Sequence, residues 1–228
     1  MLLIQELKKR VDIYERVEKT FLSDQYPYFF GKMSFQKNLM YCGLYADTSK
    51  ESIANLSNDL REMSAYLDSD RNHLQKSLNT FIAIFENIDE NITFDNLWYK
   101  IISILHKDDY MAWKSNAPAD LNDANFKFSF DDKLWYPVLL TPIHTQTTRV
   151  GEITILSFQP DETFIYNKEQ NKIFYDKGRN AIYNKIDKIY HSQRPHYISE
   201  QSSGKNIVQF LGHDFEENDN NFVYPIIF

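Results

Sequence analysis

The chain has 228 residues, with 25 basic against 32 acidic side chains, a net charge of −7 and one cysteine. This balance argues against a nucleic-acid partner, because phosphate binding needs clustered Lys and Arg. The single Cys42 excludes an internal disulfide and any cysteine-rich zinc or iron–sulfur site, and it fits a reducing, cytoplasmic setting.

No stretch approaches the roughly 18 consecutive apolar residues of a spanning helix, and the first 21 residues carry too short an apolar run for a signal peptide. No membrane partner is therefore expected. Aromatic residues are abundant, with 17 Phe and 15 Tyr. Most of these rings should build the core, while a few could line a flat pocket. Six Gly and seven Pro are spread without a linker or a repeat, which predicts one domain over residues 1–228.

Leu3, Leu7, Val11, Tyr14, Val17 and Phe21 recur at spacings of three and four and predict an amphipathic helix over 2–22, packed on the domain and ended by Tyr26-Pro27. Residues 38–46 are apolar, aromatic and without helical period, as in a strand. Thr48 with Glu51 forms a capping box, and Ile53, Leu56, Leu60, Met63 and Leu67 carry a helix to Asp68. Residues 80–85 read as a short buried strand. Thr93 opens a helix whose Leu97, Ile101 and Ile104 face inward until Lys107.

Phe126, Phe128 and Phe130 alternate with Lys127 and Ser129 as in a half-buried strand, and Asp131-Asp132-Lys133 turns the chain into a second strand over 134–140. A further strand over 153–158 precedes a helix over 179–191 with Ile182, Ile186 and Ile189 inward. Extended segments at 207–211 and 222–228 close the chain. The Asn- and Asp-rich stretches 89–91, 122–125 and 216–221 read as surface loops. This order predicts a mixed α/β (α+β) fold with a central mixed sheet flanked by helices.

No Gly-rich phosphate loop, no nucleophile elbow and no helical pair of histidines four apart occurs, which argues against nucleotide and serine hydrolysis. Six histidines remain. His106-Lys107-Asp108 has the spacing that begins a non-haem iron triad, but it also sits where a helix C-terminus favours a histidine. His191 ends a helix in the same way, while His196 after Pro195 and His213 before Asp214 fall in loops.

His144 differs, because it leaves the end of a strongly apolar strand and stands five residues before Arg149. Polar groups at such a strand end tend to face a cleft. An imidazole there can bind haem iron, and a nearby guanidinium can pair with a propionate. The alternative is a histidine that caps backbone groups, with Arg149 in a surface ion pair.

Several landmarks then occur in order: Tyr26-Pro27 with Gly31-Lys32, the connection containing Pro118, the alternating Phe126-Phe128-Phe130 strand, Pro142-x-His144 with Arg149, and Leu156-Ser157-Phe158-Gln159-Pro160 leading to Phe164. In these the chain resembles the YqcI/YcgG family from about Tyr26 to Gln209, and the stretch from Trp135 to Gln159 is the most informative part. The resemblance implies a haem-dependent oxygenase that N-hydroxylates a small guanidine or amine with dioxygen and an external electron donor. By the same resemblance haem b (protohaem IX) is the cofactor, His144 the axial iron ligand and Arg149 a propionate or substrate partner.

Tyr28 stands where the family pattern places a cysteine, and as a phenolate it is a second candidate ligand. Trp98, Trp113, Trp135, Phe128 and Phe130 are candidates for the pocket wall. Three other readings compete: a haem- or small-ligand-binding protein without turnover, a non-haem iron enzyme using His106 and Asp108, and a plain interaction domain. Assembly into a homodimer stays open.

Overall fold

The computed structural model describes residues 1–69, 76–191 and 206–211. The chain starts with a two-residue strand, β1 (Leu2–Leu3), and a 3-10 turn over Ile4–Lys9, followed by α1 (Val11–Leu22) and α2 (Phe29–Gln36). A β2–α3–β3 unit comes next, with β2 at Tyr41–Tyr45, α3 at Lys50–Asp68 and β3 at Phe81–Phe85. Helix α4 (Phe94–Asp108) leads to the hairpin of β4 (Phe128–Phe130) and β5 (Lys133–Leu140). Strand β6 (Thr154–Pro160) runs directly into α5 (Asp161–Gln170), followed by α6 (Lys172–Ile189), and α7 spans Asn206–Leu211.

Among the described residues, six strands form one mixed sheet in the order β1-β2-β3-β6-β5-β4. Only β2 and β3 are parallel, as expected for strands joined by a crossover helix, and every other pair is antiparallel. Strand alternation divides the central side chains between two cores. Phe81, Ala83, Phe85, Leu139 and Leu156 pack under α3 and α4, whereas Ile82, Ile84, Leu140 and Ile155 pack with Ile13, Val17 and Phe21 of α1. The sheet thus has helices on both faces, as the strand and helix order predicts.

The apolar stripe of α3 is buried as the spacing predicts, although its cap is Ser49, whose hydroxyl accepts the Ser52 N–H, rather than Thr48. Thr93 caps α4 as expected, by accepting from Asn96. The predicted helix over 2–22 is corrected at its start. Leu2 and Leu3 pair with Cys42 and Tyr41, and the Ile4 N–H donates to the Met40 carbonyl at 2.8 Å, so the backbone there belongs to the sheet edge.

Further corrections concern five elements. Strand β4 is buried on both sides rather than half-buried, because the Ser129 hydroxyl accepts the Lys114 N–H from a covering segment. Helix α6 begins at Lys172 rather than at 179, and α2 and α5 lie where no element was expected. Residues 207–211 are helical, since Ile207, Phe210 and Leu211 reach the core at spacings of three and one, which fit a helix face. The expected strand over 222–228, the loop over 216–221, His196 and His213 lie outside the described residues.

Candidate functional site

A cavity of about 520 Å³ lies between α2, α5, α6, α7 and the face of β5 that carries Tyr136 and Val138. This volume is in the range of small-molecule sites. Helix α5 presents Asp161, Phe164, Ile165 and Lys168 to it, a spacing of three, four and seven that keeps all four on one side. Helix α6 does the same with Tyr175, Arg179, Ile182 and Tyr183.

The wall is a chain of touching rings. Tyr175 stacks on Phe30 at 6.4 Å between centroids, Phe30 meets Phe164 edge-on at 6.4 Å, Phe164 meets Tyr136 at 4.8 Å, and Tyr136 meets Phe210 at 5.6 Å. Gly178 permits this arrangement on α6, because a Cβ there would stand 2.7 Å from the rings of Phe29 and Phe30. Gly31 has a similar task on α2, where a Cβ would collide with the Tyr26 hydroxyl. That contact gives the Tyr-Pro-x-x-x-Gly landmark a packing reason.

Among the described residues the wall carries four basic side chains, Lys127, Arg149, Lys168 and Arg179, and one acid, Asp161. Lys127 donates to Asp161 Oδ2 at 2.8 Å, and the Tyr136 hydroxyl donates to Oδ1 at 3.3 Å. Asp161 is the first residue of α5, where the helix dipole also favours its charge. Burial, reinforced by the Asp161 charge, pushes the Tyr136 phenol well above its ordinary range. It therefore stays a neutral donor. Among the described residues the site combines ring walls with more basic than acidic side chains, which suits a planar ligand bearing acidic groups.

The residues expected from the sequence are distributed unevenly around this cavity. Arg149 lies on the wall although it is only 2% exposed, and its guanidinium carbon sits 4.5 Å from the centre of the Tyr28 ring. Tyr28 also faces the cavity. His144 is not among the lining residues. It is 5% exposed, its ring stacks on Phe94 with centroids 4.6 Å apart, and its Nε2 lies 2.8 Å from the Leu211 carbonyl oxygen. A carbonyl only accepts, so Nε2 carries the proton and is committed to α7.

Flat walls and basic side chains fit the body and carboxylates of haem. The His144 ring does not line the cavity, so as placed it offers no axial bond to a haem held there. Of the two candidate ligands only Tyr28 reaches the cavity.

Trp98, Trp135, Phe128 and Phe130 belong to the core beneath α3 and α4 rather than to the cavity wall, and Trp113 packs against the same core. Trp98 Nε1 donates to the Pro137 carbonyl at 2.9 Å, and Trp135 Nε1 donates to that of Phe130 at 3.1 Å. His106 meets Trp113 edge-on, and burial holds its imidazole below its ordinary value. Asp108 accepts from Arg61. Among the described residues no group of three or more His, Cys, Asp or Glu could hold a metal ion.

Architecture and cavity together define a mixed α/β protein with a ring-walled pocket over the antiparallel part of its sheet. The YqcI/YcgG family model matches residues 17–221, and the chain belongs to that family. No curated protein and no solved structure matches it. No helix among the described residues is long and apolar enough to cross a membrane.

Proposed function

We propose that the protein binds a small planar ligand with acidic groups in the cavity beside β5. The observation that carries this reading is the run of ring contacts from Tyr175 through Phe30, Phe164 and Tyr136 to Phe210, on a wall that also bears Arg149, Lys168 and Arg179. Rings offer a flat ligand large contact area at low entropic cost, and the basic side chains orient its acids. Asp161 is held by Lys127 and Tyr136, which fixes one polar corner of the site.

Haem is the member of this ligand class that the family resemblance puts first. When bound it would supply oxygen activation for the N-hydroxylation of a small guanidine or amine, with electrons from an external donor. The cavity-facing Tyr28, stacked under Arg149, is the side chain to test as an iron ligand.

The test is an absorption titration with hemin, run beside protein purified after growth with a haem precursor. A saturable Soret band that weakens in Phe164→Lys supports the reading, and product formation from guanidines or amines with reductant and dioxygen extends it to catalysis. Absence of any Soret band overturns haem as the ligand. Failure to bind an anionic naphthalene fluorophore as well overturns the cavity itself as a binding site.

A further inference from the structure

We infer that His144 and Arg149 form a clamp on the backbone of α7 and so position one wall of the cavity. Both side chains come from the connection between β5 and β6, where residues 147–149 make a 3-10 turn and Thr141 bridges Val150. Both reach carbonyls of α7: His144 Nε2–H donates to the Leu211 carbonyl, and Arg149 Nη2–H donates to the Gln209 carbonyl. Both acceptors are buried or part-buried, where a carbonyl left without a donor is costly.

What the clamp holds is part of the site. Gln209 and Phe210 line the cavity, and Phe210 is the last ring of the aromatic chain, edge-on to Tyr136. What holds α7 therefore sets where these two residues stand. Ile207 and Leu211 fasten its other side to the core, and the Asn206 amide donates to the Phe126 carbonyl at 3.1 Å. His144 and Arg149 grip its backbone at Leu211 and Gln209. The role rests on the cavity being the ligand site. It makes His144 a positioning residue that acts through α7 and not a group that touches the ligand.

The experiment compares wild type, His144→Ala and His144→Gln as full chains, by amide hydrogen exchange and by hemin and anionic-fluorophore titrations. Gln keeps an N–H donor that can reach the carbonyl. In His144→Ala the exchange of residues 206–211 should rise and binding of both probes should weaken by about tenfold, the loss of one buried hydrogen bond. Amides of β3 and β6 should stay protected, and His144→Gln should recover both properties.

The inference is overturned if exchange over 206–211 is unchanged in His144→Ala, or if His144→Gln behaves as His144→Ala. It is also overturned if His144→Gln changes the hemin absorption band while the fluorophore still binds normally, since that pattern marks an iron ligand. Wild-type protein that binds neither probe would sink the cavity reading, while the exchange difference decides the clamp on its own.

Discussion

The Arg149 guanidinium lies over the face of the Tyr28 ring, 4.5 Å from its centre, and also donates to the Gln209 carbonyl of α7. One side chain thus joins the segment before α2 to α7 across the cavity. Arg149→Met should cost about 1–3 kcal/mol, because it leaves a part-buried carbonyl short of its donor and removes the stacked cation. Arg149→Lys should recover only part of this, since an ammonium lacks the planar fork. Tyr28→Phe keeps the ring face and should change stability by less than about 0.5 kcal/mol. Urea unfolding of the three variants checks the order, and a Tyr28→Phe loss as large as that of Arg149→Met would place the interaction in the hydroxyl instead.

Gly178 sets how closely α6 approaches α2. An added methyl would meet Phe29 and Phe30 at 2.7 Å, and Phe30 is itself held against Phe164, Phe174 and Tyr175. Gly178→Ala gains about 1 kcal/mol in helix propensity but loses about 1–3 kcal/mol to overpacking. The expected net is a lower Tm together with weaker ligand binding, because the displaced ring is part of the wall. A stabilised variant with unchanged binding would mean that the rings yield freely.

Elements whose side chains meet a dry core were legible in the sequence. Ile53, Leu56, Leu60, Met63 and Leu67 of α3 face one apolar environment, so helical spacing and burial coincide. Helix α5 was not legible, because the side that faces the cavity holds Asp161, Phe164, Ile165 and Lys168, a mixture that shows no apolar stripe. The first turns of α6 were missed for the same reason. A search for ring and basic residues at helical spacing would have found both.

The short run of α7 carries neither period clearly, and only its core contacts select the helix. His144 was legible as a buried strand-end residue with two possible employments. Its partner stands 67 residues further on, a pairing no local pattern reveals, and the contact it makes is to a backbone carbonyl of α7.

Trp98 separates core from site. Its ring is fully buried beneath β5, and Nε1 donates to the Pro137 carbonyl at 2.9 Å. Trp98→Phe removes that donor and part of the ring volume, so a loss of about 2–4 kcal/mol is expected from the unsatisfied carbonyl and the void together. Hemin and fluorophore affinities measured well below Tm should stay within about threefold of wild type, less than one hydrogen bond is worth. A selective loss of affinity without a loss of stability would return Trp98 to the cavity wall.

Cys42 makes stability sensitive to alkali. Its side chain lies between β1 and β3 in the core under α1, and burial pushes the thiol up to about 12. In the unfolded chain a cysteine ionises near about 8.5. Between these values the folded state holds a proton that the unfolded state has released, so stability is fully present below about pH 8.5 and falls as pH rises toward 12, by up to about 1.4 kcal/mol per pH unit. The Tyr45 phenol, raised by burial and by Asp59, adds the same sign of effect only above its own unfolded value of about 10. Urea unfolding between about pH 8 and pH 10 should therefore show a decline that Cys42→Ala reduces, after a small constant loss of packing. The Met1 ammonium, lowered by burial but raised on balance by Asp59 and Glu62, adds the same sign above about pH 8 and leaves a residual slope. The same burial predicts that an aromatic disulfide reagent modifies Cys42 in urea but not in the native protein. Fast modification of the native protein, or an equal decline in Cys42→Ala, would show that the thiol reaches solvent and that the alkaline sensitivity arises elsewhere.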